Sequence, residues 1–183
     1  MTKLNKRKCV NCGDVFQKLK PLQNVCDHIC AIKHAQKLRE KKEKREWQKE
    51  KAVRLEKLKT KSDYEKELQM VFNEYIRLRD KGQPCISCDA LYGTYEVNAG
   101  HFVPAGTYKN LRFNELNVHN QCVHCNKHRH GSLIEYAERL PLRIGIDSFE
   151  ELKRLKNVPR HYSIPELIEL KVIYKDKIKQ LNK

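Results

Sequence analysis

Eight cysteines arrive as four close pairs: Cys9-x2-Cys12, Cys26-x3-Cys30, Cys85-x2-Cys88 and Cys122-x2-Cys125. A short loop aims both sulfurs of a pair at one point, and two such pairs complete a tetrahedral four-thiolate zinc site. Two structural Zn²⁺ sites are therefore expected, with disulfides as the alternative. The opening string MTKLNKRKC holds no apolar run, and no stretch of the chain approaches a membrane span. No secretory signal and no membrane partner are expected, and a reducing cytoplasm favours metal ligation over disulfides.

Metal staples also answer a weakness of composition. Of 183 residues, 39% are hydrophobic and 33% charged, so any core is small and needs reinforcement. The formal net charge is +15. Two four-thiolate sites would lower it to roughly +11. That excess calls for a polyanionic partner, and nucleic acid is the default candidate because each neutralised phosphate releases counterions.

The organisation follows from punctuation and charge. Residues 1–30 form a cysteine module, with Phe16 and Leu19 available to cover a small zinc-nucleated core. Between Leu22 and Lys81 there is neither proline nor glycine, and residues 31–62 carry 13 Lys and Arg against 5 Glu. Strong helix formers dominate there, so 31–82 is expected to be a long basic helix or arm of about 45 residues, roughly 70 Å at 1.5 Å per residue. Between Arg39 and Lys51 only Trp47 is large and apolar. That part is a solvated spacer or a DNA contact through Lys41, Lys42, Lys44 and Arg45. Leu68, Val71, Phe72, Tyr75 and Leu78 then define one helical face that should dock on the next domain. Residues 83–140 hold β-type runs such as TYEVNAGHFV, the second set of cysteines, and a helix broken by Pro141 and Gly145. Residues 141–183 read as a helical cap, with a capping box expected at Ser148–Glu151 and Ser163 as the last N-cap.

Cys85/Cys88 and Cys122/Cys125 are 33 residues apart, which leaves room for a hairpin between two knuckles. Four thiolates leave no open position, so this zinc is structural. Within the staple lie His101, Asn117, Asn126 and His130. Hydrolysis of a phosphodiester needs a base for water and a cation for the charge on phosphate and departing oxygen. Neutral imidazole suits the first role near pH 7, and an amide carbonyl can orient it. Mg²⁺ keeps several waters, so few protein ligands suffice. Tyr108, Lys109 and Arg112 between the hairpin strands, and Lys127, His128 and Arg129 after the last cysteine, are candidate phosphate contacts.

These residues resemble the HNH, or ββα-metal, nuclease motif: His101 on a first strand, Asn117 five residues before Cys122, and Asn126 directly after Cys125. The resemblance implies that His101 is the general base, that Asn117 orients it, and that Asn126 with His130, one helical turn on, holds a catalytic Mg²⁺ or Mn²⁺. Many members place an Asp ligand just before the base. Here that position is Gly100, leaving Asn98, His119 or water to supply the ligand. The strings NAGHF, LRFNELNVHNQCVHCN, GSLIEY and RIGIDSFEEL, after a cysteine module and a basic helix, resemble the lambdoid-phage NinG (Rap) family. That resemblance implies a recombination protein that binds and cuts branched DNA such as Holliday junctions.

The expected architecture is thus α+β: an N-terminal zinc knuckle, a long basic helix, a zinc-stapled ββα-metal domain and C-terminal helices. The expected function is a metal-dependent endodeoxyribonuclease in the bacterial host cytoplasm, a homodimer if junctions are cut symmetrically. The rivals are a non-catalytic double-zinc DNA or RNA binder, an HNH nickase of other specificity, and a zinc-dependent oligomerisation or adaptor protein.

Overall fold

The basic run does not form one helix. In the computed structural model, which describes residues 6–183, α1 spans His28–Lys57 and α2 spans Lys61–Arg79. The break lies at Leu58–Thr60, where the Asp63 carboxylate accepts from the Thr60 amide (2.9 Å) and hydroxyl (2.7 Å). This capping pattern starts a new helix, and Thr60-x-x-Asp63 is its signal in the sequence. The expected arm of roughly 70 Å is therefore replaced by α1 alone, 30 residues and about 45 Å long. The chain also divides here, into a unit ending at Leu58 and a unit spanning Lys59–Lys183. The first half of the predicted arm thus belongs with the cysteine module, and the second half with the domain that follows.

In the first unit, β1 (Lys6–Lys8) and β2 (Val15–Gln17) form an antiparallel hairpin. Residues 1–5, at the head of the predicted module, lie outside the described residues. Asp27 accepts from the Cys30 amide at 2.7 Å and caps α1, so the helix begins at a cysteine cluster. Phe16 is half-buried, but Leu19 is 85% exposed and covers nothing. The solvated character expected of α1 holds, since Cys30 is its only buried residue.

The second unit is built around a hairpin of β3 (Val97–His101) and β4 (Val118–Cys122), in register from Val97↔Cys122 to His101↔Val118. Helices cover both faces. On one side Leu68, Phe72, Tyr75 and Ile76 of α2 pack with Leu167 and Tyr174 of α5 (Ile164–Leu181) and with Val118. On the other, Tyr136 and Leu140 of α3 (Leu133–Ile144) pack with Phe149 and Leu152 of α4 (Ile146–Leu155) and with Ile86 and Val103. Of the expected α2 face, Leu68, Phe72 and Tyr75 are buried and Val71 packs half-buried against them; Ile76 joins the core, and Leu78 is half-buried outside that cluster. Ser163 caps α5 as expected, and the structure adds Glu166 as its reciprocal partner.

Two boundaries differ. Pro141 lies inside α3, which runs on to Gly145. α4 starts at Ile146 with Gly145 as its cap residue, so Ser148 is within the helix and makes no capping box.

A buried ion cluster ties α2 to β4. Arg79 donates to both oxygens of Asp80 (2.7 and 3.0 Å) and to the Val118 carbonyl (2.8 Å), while the Asn120 amide donates to Asp80 (2.9 Å). Burial by itself raises the Asp80 carboxyl. The Arg79 guanidinium and the Asn120 amide, which both donate to it, reverse that and hold it well below the usual carboxylate range. Asp80→Ala is therefore expected to cost about 3–5 kcal/mol, because it strands a buried guanidinium; urea unfolding measures it. The pH sign follows from the depressed pKa: the stabilisation is complete above the unfolded carboxyl's ~4 and is lost as pH falls below it.

Candidate active site and metal centres

Each cysteine set converges. The sulfurs of Cys9, Cys12, Cys26 and Cys30 lie within 4.8 Å of one another, as do those of Cys85, Cys88, Cys122 and Cys125. Cys12 and Cys26 Sγ are 3.6 Å apart, Cys88 and Cys122 Sγ 3.9 Å. Tetrahedral zinc with Zn–S bonds near 2.3 Å requires edges of about 3.8 Å, so both clusters could hold zinc. All eight thiols are free. Amides already point at the sulfurs, from Cys26 to Cys9 (3.4 Å), Cys122 to Cys85 (3.3 Å) and Cys125 to Cys122 (3.3 Å). Such donors stabilise thiolates before any ion arrives. Because Cys122 ends β4, the second cluster fastens the open end of the hairpin to the turn leading into α3.

His101 closes β3, and its ring is half-buried. Its Nε2 lies 3.0 Å from the Arg112 carbonyl. A carbonyl only accepts, so Nε2 carries the proton and Nδ1 presents the lone pair. Burial, the dominant cause, and the Arg112 charge push the imidazole below its ordinary pKa despite that hydrogen bond. The ring is thus neutral at pH 7 with a fixed tautomer.

Asn117 does not touch the ring. It is fully buried, accepts from the Val103 amide (2.7 Å) and donates to the Val103 and Leu111 carbonyls (both 3.0 Å). These bonds close the loop that carries Arg112. The predicted contact with the imidazole is thus absent: the amide braces the loop, and the Arg112 carbonyl of that loop holds the ring.

The candidate ligands for a second metal are not gathered in the way the sequence suggested. His119 is buried, with Nδ1 3.0 Å from Arg79 Nη2 and Nε2 3.3 Å from the Leu116 carbonyl. Arg79 can only donate, so both ring nitrogens are committed to the interior and none remains for an ion. The Asp80 oxygen 3.6 Å from Nδ1 is a neighbour only. Alternation sends Asn98 and Gly100 to the face opposite Ala99 and His101, so Asn98 is not beside the base. Asn126 is half-buried in a π turn, His124–His128, and exposed His130 follows in a left-handed conformation (φ 48°). The two are not one α-helical turn apart, because α3 starts only at Leu133.

Gly100 has a steric reason. A Cβ there would lie 2.1 Å from Gln121 Oε1. Gln121 cannot swing away easily, since its Nε2 donates to Ser87 Oγ (2.7 Å) and the Gly131 carbonyl (2.6 Å). An Asp at position 100 would collide with the same carboxamide. Gly100→Ala is expected to cost about 1–3 kcal/mol by overpacking, read as a lower urea midpoint. Gln121 Oε1 and Asn98 Nδ2, on directly opposed residues, are both buried without a partner. Gln121, Arg79 and Asp80 are supporting residues that sequence reasoning missed; only a polar Gln in a buried strand hinted at the first.

The NinG family model, described as Bacteriophage Lambda NinG protein, matches residues 1–183. The chain belongs to the NinG family. It is 40% identical over 124 residues to Protein ninG of Escherichia phage lambda, covering 68% of this chain and 60% of that protein. It is 38% identical over 125 residues to Protein ninG of Salmonella phage P22, again covering 68% and 60%. The chain thus matches about 60% of the length of these curated relatives. No solved structure matches.

On this NinG chain the predicted phosphate contacts fall into four groups. Arg112 is spent on structure, donating to Gln69 Oε1 (2.8 Å) and Glu65 Oε2 (3.2 Å) of α2. Arg129 is exposed but paired with Glu135. Lys127, His128 and Lys109 are exposed, as are Lys41, Lys42, Lys44 and Arg45 on α1, where Lys42 lies 3.9 Å from Glu46. Tyr108 is half-buried beneath the Lys156 ammonium, 4.6 Å away. Among the described residues, no helix is long and apolar enough to cross a membrane.

Proposed function

We propose that this chain is a metal-dependent endonuclease of the HNH, ββα-metal type acting on branched DNA, as a recombination protein of the host cytoplasm. The supporting observation is the state of His101: neutral, its Nε2–H bonded to the Arg112 carbonyl, its Nδ1 lone pair unspent. A general base for water needs that lone pair in a fixed direction. The strand–strand–helix order of β3, β4 and α3, with one thiolate pair before β3 and the other at the end of β4, before α3, supports the same reading.

In the proposed reaction, Nδ1 of His101 takes a proton from water as the water oxygen attacks phosphorus in line. The P–O3′ bond breaks with the electron pair leaving on O3′, which takes a proton from solvent water, giving a 5′ phosphate and a 3′ hydroxyl. Positive charge on the imidazolium is shared with the Arg112 carbonyl through Nε2–H. Asn117 keeps that carbonyl in place by holding Val103 and Leu111. The Arg112 side chain, tied to Gln69 and Glu65, anchors the same loop to α2.

The donor set for a divalent ion is sparse. Among the described residues, the two cysteine clusters are the only groups of three or more His, Cys, Asp or Glu placed to hold a metal. Asn126 and His130 offer one amide oxygen and one imidazole. That fits Mg²⁺ or Mn²⁺ only as a partial site, completed by water and by phosphate oxygens of bound DNA. When bound, the ion would stabilise charge on the phosphate and the departing oxygen.

One gel tests the reading. Wild type and His101→Ala are incubated with a synthetic four-way junction and a linear duplex, with Mg²⁺ or with Ca²⁺ in its place. Cutting by wild type in Mg²⁺ alone, preferring the junction and absent in the variant, is expected. Binding of both DNAs without cutting would leave a non-catalytic zinc-braced binder, and equal cutting of both would leave an HNH nuclease of other specificity.

A further inference from the structure

The loop between β3 and β4 and the connector between α4 and α5 are joined by one side chain. Asn110 Nδ2 donates to the carbonyls of Leu155 (2.6 Å) and Val158 (2.8 Å), and the Tyr162 hydroxyl donates to the Asn110 carbonyl (3.2 Å). Above this staple, residues 107–110 and 156–161 line a cleft of about 250 Å³. A second cleft of about 280 Å³ adds Lys61, Ser62 and Glu65 of α2 and shares Lys109, Arg160 and His161 with the first. The shared residues make the two one continuous groove.

Its charge is strongly one-sided. Lys61, Lys109, Lys156 and Arg160 line it and are all exposed. The one lining carboxylate, Glu65, is engaged by Arg112, and Glu166 lies beyond at 4.0 Å from Arg160. Aromatic rings hold two of the cations in place. The Lys156 ammonium lies 4.6 Å from the Tyr108 ring centre, and the Arg160 guanidinium 4.7 Å from that of Tyr162. Stacking of this kind limits side-chain motion while leaving N–H donors facing out. A rigid groove with cations on both rims suits successive phosphates of a duplex backbone, for which Lys and Arg contacts position without reading sequence.

We propose that this groove is the track for the backbone of duplex DNA. Its floor is the loop whose Arg112 carbonyl holds His101, so a backbone seated there is set in register with the imidazole; this last consequence rests on the hydrolytic reading above. The sequence pointed to Tyr108 and Lys109 but not to residues 156–161, which the Asn110 staple holds beside them.

The test uses the full chain and fluorescence anisotropy with a 30-base-pair DNA duplex in Ca²⁺ buffer, over a series of salt concentrations. Lys156→Ala/Arg160→Ala is compared with wild type, with His101→Ala, and with Lys175→Ala/Lys179→Ala, which removes equal charge from exposed positions of α5. The groove variant is expected to bind at least about tenfold more weakly and to lose roughly 2 from the slope of log K against log salt. His101→Ala should bind as wild type, and the α5 variant should change far less than the groove variant. A groove variant with the wild-type slope, or no weaker than the α5 variant, overturns the proposal. Preference of wild type for an RNA duplex of the same sequence overturns it in favour of RNA. Failure of wild type to cut in Mg²⁺, with the slope change present, sinks the hydrolytic reading and leaves the groove standing.

Discussion

Cys122→Ser is expected to halve the zinc content of the purified chain and to abolish cooperative unfolding of the Lys59–Lys183 unit. The hairpin it closes has two strands of five residues each, and an isolated two-stranded hairpin is marginal in water. What fixes it is the helix packing on its faces and the thiolate cluster at its end. Structural zinc contributes on the order of 10–16 kcal/mol in zinc-finger peptides, against a typical domain stability of about 5–15 kcal/mol. Removing a buried ligand from the cluster therefore outweighs the loss expected of Asp80→Ala or Gly100→Ala. Metal content by atomic emission and a thermal melt followed by near-ultraviolet circular dichroism give the readout. The helical signal of α1 should survive, because Cys9, Cys12, Cys26 and Cys30 belong to the other unit. Two zinc ions per chain with an unchanged melt would show that the second cluster does not hold this fold together.

Under the proposed hydrolytic function, His101→Ala is expected to lower the rate of DNA cleavage by about 10²–10⁴, the usual contribution of a positioned general base, without weakening binding. The pH profile carries a sharper signature. A base works deprotonated, and burial with the nearby Arg112 charge depresses this imidazole. The midpoint of the acidic limb of wild-type cleavage should therefore lie below the ordinary histidine value of ~6.5. Arg112→Gln removes one of the two depressing causes and should move the acidic limb upward. A limb above the ordinary value would mean that the titrating group is elsewhere.

Several features were readable because they depend on neighbours in the chain. The cysteine pairs, the α2 face from Leu68 to Tyr75 and the Ser163 cap each follow from spacing within a turn or two. The missed break at Thr60 was also local: a capping signal there outweighed the continuity of a run of strong helix formers. Pro141 and Ser148 failed for the opposite reason. Tyr136, Leu140, Phe149 and Leu152 pack in one core on either side of Gly145, whose positive φ marks the boundary between α3 and α4, so the helix runs through Pro141 and restarts before Ser148.

Residue types by themselves determined that two sets of thiolates could bind metal; a polyanionic partner and a joint site of His101 and Asn117 were expectations from charge and resemblance. Only the tertiary structure decided what those residues touch. The ring of His101 is held by a carbonyl eleven positions away, Asn117 works through a loop, Arg112 serves that loop, and His119 is claimed by Arg79. The reason is physical: each such contact depends on where loop closure and helix packing bring distant backbone groups, and a single chain of letters specifies those meetings only through the whole fold.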